Sequence, residues 1–247
     1  MSELVRVTLL GLFFGTFGTT LGGIIGITFK STSKKFLSFI LSLSSGLMMA
    51  IVCFELIPEA LEITNIPNTI LGIIIGIVVM IFCNVIVDKK LKKTSMKENV
   101  MNSMLKTGII VSLGLAIHNF PEGLAIGSGM EASFKLGINL AIAICLHDIP
   151  EGISMSVPMK AGGMSKTKII IYVILSGITT GVGALFGALV GKVSEAIIGI
   201  CLSFAAGAML YIVSGELTPE ANNLYKGKTT AIGNILGIIL GIFATLN

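Results

Sequence analysis

His118-Asn119-Phe120-Pro121-Glu122-Gly123 and, 29 residues later, His147-Asp148-Ile149-Pro150-Glu151-Gly152 are two versions of one six-residue box, both inside the stretch Gly114–Gly152. The chain holds 2 histidines, and each opens one of these boxes. Both boxes lie in long apolar segments, where a charged side chain at bilayer mid-depth costs roughly 2.5–3.5 kcal/mol on insertion scales. A cluster placed there against that cost points to function. The rest of the chain reads as a scaffold around the pair.

The composition fixes the class. Of 247 residues, 53% are hydrophobic and 12% charged, mean hydropathy is +0.96, and apolar runs recur along the whole length. Soluble domains carry about 25% charged residues. Period-2 alternation is absent, which excludes a strand barrel. The expectation is an all-α polytopic membrane protein with eight transmembrane helices, over Leu4–Phe29, Phe36–Leu61, Ile66–Val87, Leu105–Ser128, Phe134–Pro158, Ile169–Gly191, Ala196–Leu217 and Thr229–Leu246. Each has about the 20 residues that cross a hydrocarbon core. The first is too long for a cleaved signal and is expected to stay. Cys53, Cys83, Cys145 and Cys201 are isolated, so neither a disulfide framework nor a thiolate zinc site is expected. The net charge of +4 resides in short loops and gives no reason to expect nucleic acid as a partner. Lysines cluster after the odd-numbered spans, as in the Lys-rich loop Asp88–Asn102, which places those loops in the cytoplasm and both termini outside.

A shift of 161 residues lays Gly46-x-Met48-x6-Glu55-Leu56-x-Pro58-Glu59-Ala60 on Gly207-x-Met209-x6-Glu216-Leu217-x-Pro219-Glu220-Ala221 without gaps. The same shift pairs Thr19 with Thr180, Gly22 with Gly183, Gly26 with Gly187, Gly72 with Gly233 and Gly76 with Gly237. Spans one to three therefore repeat as spans six to eight. The odd number of spans between the copies inverts one against the other. The expected organisation is a single transmembrane domain in a 3+2+3 arrangement: a repeat over 1–87, a central helix pair over 105–158, and a second repeat over 169–247. Inverted repeats are how many secondary transporters place a substrate site at mid-depth.

Four-residue spacing puts His118 above Glu122 and His147 above Glu151 on one helix face each, with Asn119 and Asp148 beside them. Facing helices would gather two imidazoles, two or three carboxylates and an amide oxygen. That set suits Zn²⁺, Fe²⁺, Mn²⁺ or Co²⁺, and the missing thiolates argue against Cu(I). Pro121 and Pro150 free the carbonyls of Ile117 and Leu146, which could meet a passing cation. Glu55 and Glu59 close span two, and Glu216 and Glu220 close span seven, so a carboxylate pair is expected at each mouth of a cation path. No enzyme is expected: a metalloprotease needs a water-activating arrangement such as H-E-x-x-H, which is absent. A cation–proton antiporter relaying protons through Asp148 and the glutamates is the remaining rival.

The paired boxes on adjacent spans resemble the ZIP (Zrt/Irt-like) metal-ion transporters, especially their short bacterial GufA-like branch. The resemblance runs end to end. It implies transport of a divalent metal, most readily zinc, with iron, manganese or cadmium as alternatives, into the cytoplasm across the cell membrane, and it implies a homodimer. No cofactor is implied, since the metal is cargo. By the same resemblance His118, Glu122, His147 and Glu151 line the transport site, with Asn119 and Asp148 beside it. Met48, or its neighbour Met49, approaches the metal as a thioether ligand or serves as core filler. Many members carry a span-six glutamate where Thr180 stands here, so a bridged two-metal centre is in doubt and a single main site is expected.

Overall fold

A computed structural model describes residues 3–28, 33–94 and 100–245. Every regular element among them is helical: α1 (Glu3–Thr28), α2 (Lys34–Ile51), α3 (Ile57–Ile63), α4 (Ile66–Thr94), α5 (Val100–Ala132), α6 (Phe134–Ala161), α7 (Lys166–Gly191), α8 (Glu195–Ile212), α9 (Thr218–Leu224) and α10 (Lys228–Thr245). A single wide turn joins α2 to α3, and another joins α8 to α9, so the ten segments form eight rods among the described residues. Six rods are long and apolar enough to cross a membrane; Lys228–Phe243 is a shorter apolar helix. The protein is a multi-pass helical membrane protein.

Serines start several of these helices. The side chains of Ser33, Ser133 and Ser194 accept the amide N–H three residues ahead, at 3.1, 3.1 and 3.3 Å. Each satisfies a donor that the first helical turn would otherwise leave open. The helices overrun the expected spans: α4 continues to Thr94 and α5 begins at Val100, so most of the loop expected over Asp88–Asn102 is helix. Residues 95–99 of that stretch, Phe29 and Lys30, and the end of the last span at Leu246 lie outside the described residues. Helical backbone runs through Pro121 and Pro150 without a break, so α5 and α6 are continuous rods rather than interrupted ones. A proline removes one N–H donor, and the turns on either side hold the helix.

The two wide turns have an identifiable cause. Val52–Leu56 and Val213–Leu217 are π turns, closed by the Ile57 amide on the Val52 carbonyl and the Thr218 amide on the Val213 carbonyl. After each, with one residue between, comes Pro58 or Pro219. The ring cannot donate to the preceding turn and crowds its carbonyls, and widening that turn relieves both conditions.

Helix pairing follows the glycines. α1 packs on α6, α7 on α5, α10 on α2 and α4 on α8, while α5 and α6 pack on each other. At Gly22 an added Cβ would strike the Ile149 carbonyl, and at Gly183 the Phe120 carbonyl. At Gly76 it would strike the Phe204 carbonyl, and at Gly237 the Leu43 carbonyl. Only a residue without a Cβ permits backbone to approach backbone this closely. These contacts recur at positions 161 apart on the outer helices and 29 apart on α5 and α6. An apolar core including Met48, Ile51, Leu56, Ile144, Leu202 and Met209 fills the space between.

Candidate metal centre

His118 and Glu122 on α5 face His147 and Glu151 on α6, and none of the four exceeds 2% exposure. His118 Nε2 lies 2.9 Å from Glu122 Oε1 and 3.0 Å from Glu151 Oε1. His147 Nε2 lies 2.8 Å from the same Glu122 oxygen, which thus stands between the two rings. The rings are 6.4 Å apart and nearly perpendicular at 76°. One ligand atom from each of the four falls within 4.8 Å of every other. Zinc–nitrogen and zinc–oxygen bonds of 2.0–2.2 Å in a tetrahedron require ligand atoms about 3.3–3.6 Å apart, so small side-chain shifts would fit the set to one ion.

The hydrogen bonding argues in the same direction. The His147–Glu122 contact is a well-aligned hydrogen bond. The contacts of His118 Nε2, though as short, are too poorly angled to be hydrogen bonds, and neither oxygen of Glu151 has a donor. Buried carboxylates without donors cost several kcal/mol each. A divalent cation at their focus offsets that cost. Nothing apolar could.

The flanking residues divide. Asn119 donates through Nδ2 to the Ser176 carbonyl at 3.1 Å, which ties α5 to α7 and leaves its Oδ1 as an open acceptor. Asp148 Oδ1 is 3.4 Å from His147 Nε2, and both its oxygens lack hydrogen-bond donors. Its Cβ sits against Gly18 on α1. Met48 is enclosed in the apolar core, whereas Met49 lines a cavity of about 600 Å³ with Ser42, Thr218, Asn222, Thr230 and Asn234. Thr180 is buried, and its side chain fills the notch at Gly15 on α1 with its hydroxyl unpartnered.

The mouth carboxylates are not brought to the four. Glu55 and Glu59 line a separate cleft of about 320 Å³. Glu216 accepts a hydrogen bond from Asn84 Nδ2 at 2.6 Å, and Glu220 is exposed. Two positioning residues escaped the sequence reading: Ser176, which anchors Asn119, and Ser44, whose hydroxyl is 3.5 Å from the His147 carbonyl. The signal for the second was present in the serines at 38, 42, 44 and 45 of an otherwise apolar helix.

The sequence profile described as ZIP zinc transporter matches residues 87–246. Zinc transporter ZupT of Streptococcus mutans is 30% identical over 90% of each chain. Zinc transporter ZupT of Clostridium perfringens is 31% identical over 97% of this chain and 95% of that one. Human zinc transporter ZIP11 is 37% identical over 53% of this chain and 40% of its own length.

Proposed function

The chain belongs to the ZIP zinc transporter family, a family of transporters and not of enzymes, and from that premise we propose that it carries a divalent transition-metal cation, zinc first, across the cell membrane into the cytoplasm. The observation that carries the proposal is the convergence of His118, Glu122, His147 and Glu151 on one point with no water access. Zinc is the cargo, with iron, manganese and cadmium as competitors that share its ligands. Asn119 and Asp148 supply open acceptors beside the four, and Met48 or Met49 supplies a thioether on the α2 side. Thr180, packed against Gly15, favours one main ion.

The movement is alternating access. An inverted 3+2+3 arrangement is supported by the π turns 161 residues apart and by matched glycine contacts on α1 and α7 and on α4 and α10. In this reading 1–87 and 169–247 are the two repeats, and 105–158 is the pair between them. The lysine distribution supports termini on the outer side. The ion comes in past Glu55 and Glu59, exchanges water for the four ligands, and leaves past Glu216 and Glu220. Uptake of radioactive zinc into proteoliposomes tests this. His118→Ala and Glu151→Ala should each abolish uptake in correctly folded protein, and wild-type rates in both would sink the assignment. Unlabelled iron, manganese and cadmium added as competitors then rank the cargo.

A further inference from the structure

We propose that the cleft at the α3 end of the molecule is a second divalent-cation site, built from the carboxylates of Glu55, Glu59 and Glu62 and separate from the buried His/Glu cluster. It extends the transport reading, on which it rests only in regarding the cleft as a mouth; the cation binding itself needs no flux.

All three carboxylates line one cleft of about 320 Å³, together with Asn139 and Lys135 from the first turns of α6. Acidic residues at a helix end are common, and Glu55 is what distinguishes this group. It is only 8% exposed, and its Oε2 is buried with no hydrogen-bond partner. A carboxyl in that condition either holds a proton or takes up a counter-charge.

The other copy of the motif shows what a satisfied glutamate looks like. Glu216, aligned with Glu55, is held by Asn84 Nδ2 at 2.6 Å, and the same amide lies 3.3 Å from the Tyr211 hydroxyl. The residue aligned with Asn84 is Thr245, and it does line the Glu55 cleft. Its hydroxyl, however, donates to the Gly241 carbonyl of its own helix at 3.0 Å. The residue aligned with Tyr211 is Ala50, which has nothing to donate. Glu55 has therefore lost both of the polar groups that surround its counterpart, while Glu59 and Glu62 add charge of its own sign. Three carboxylates against one lysine leave the cleft with an excess of negative charge.

The ligand set is oxygen only. Such sites take hydrated, hard divalent cations with little discrimination, and open ones bind in the range of about 0.1–1 mM. Selection among metals would then fall to the imidazoles inside. The full chain in detergent micelles, titrated with Mn²⁺ and read by electron paramagnetic resonance, tests the site directly. A His118→Ala background weakens the inner cluster. In that background we expect one weak class of Mn²⁺, weakened at least about 10-fold by Glu55→Gln with Glu59→Gln, and tightened severalfold by Lys135→Met. A tightened site is a result that misfolding cannot imitate. Titrations unchanged by both sets of substitutions would overturn the proposal. Wild-type protein that moves zinc yet lacks the weak class sinks this proposal alone. Protein that binds Mn²⁺ in the cleft but moves no zinc supports it and sinks the transport reading.

Discussion

Glu55 and Glu216 occupy the same place in two copies of one motif, each within a π turn three residues before a proline, and they meet different fates. Glu216 is tied to Asn84 on α4. Glu55, with Thr245 and Ala50 at the positions that match Asn84 and Tyr211, has no partner for one of its oxygens. The backbone treats the two copies alike because Pro58 and Pro219 impose the same local constraint. The side chains that reach over from the neighbouring helix are free to differ. A repeat can thus preserve its backbone while its side chains diverge, with one glutamate held by an amide and the other left without a donor on one oxygen.

The largest effect that bears on this contrast comes from the centre. His118→Ala should lower zinc uptake by roughly 100-fold or more, since loss of even an outer-shell partner of a metal site typically costs 10–100-fold. The Glu55 cleft should keep its Mn²⁺, which would separate mouth from centre. Next is Asn84→Ala, which strips Glu216 of its donor and should lower stability by about 1–2 kcal/mol, as for a half-buried group left unpaired. Thr245→Ala at the matching position should cost about 0.5 kcal/mol or less, because only a bond to its own helix is lost. Thermal unfolding in detergent compares the two, and equal losses would break the contrast. A modest effect on binding, as against stability, belongs to Thr245→Asn, which offers Glu55 the amide that Glu216 enjoys. It should weaken cleft Mn²⁺ by about threefold, read by the same resonance titration.

How far the chain could be read in advance depended on the range of the interaction. His118, Glu122, His147 and Glu151 were legible because helical spacing fixes each pair, and because all histidines of a membrane chain fall in matching boxes. The helical class followed from apolar runs alone. The partners of Asn119 and Glu216 were not legible, because Ser176 and Asn84 lie 57 and 132 residues away and reach them only through helix packing. The π turns were hidden because a proline announces a disturbance without saying whether the helix breaks, kinks or widens. Pro121 and Pro150 passed through unbroken helix, whereas Pro58 and Pro219 did not. Glu62 was overlooked because the second span was ended at Leu61, one residue short of it, while α3 runs on to Ile63. The antiporter reading needs Asp148 to relay protons, and the four-ligand convergence beside it leaves that reading without an observation of its own.

The burial of the four clustered residues would also set a clock for any ion held among them. With His118 at 2% exposure and the other three at 0%, no chelator can touch an ion lodged among them. EDTA added to the loaded protein should therefore extract metal at a rate that stays flat as its concentration rises, because the slow event is the parting of helices and not the encounter with the scavenger. The same protein would strip its weakly held Mn²⁺ from the acidic cleft within the mixing time. Two release rates from one molecule would thus report, without any membrane, how often the interior opens.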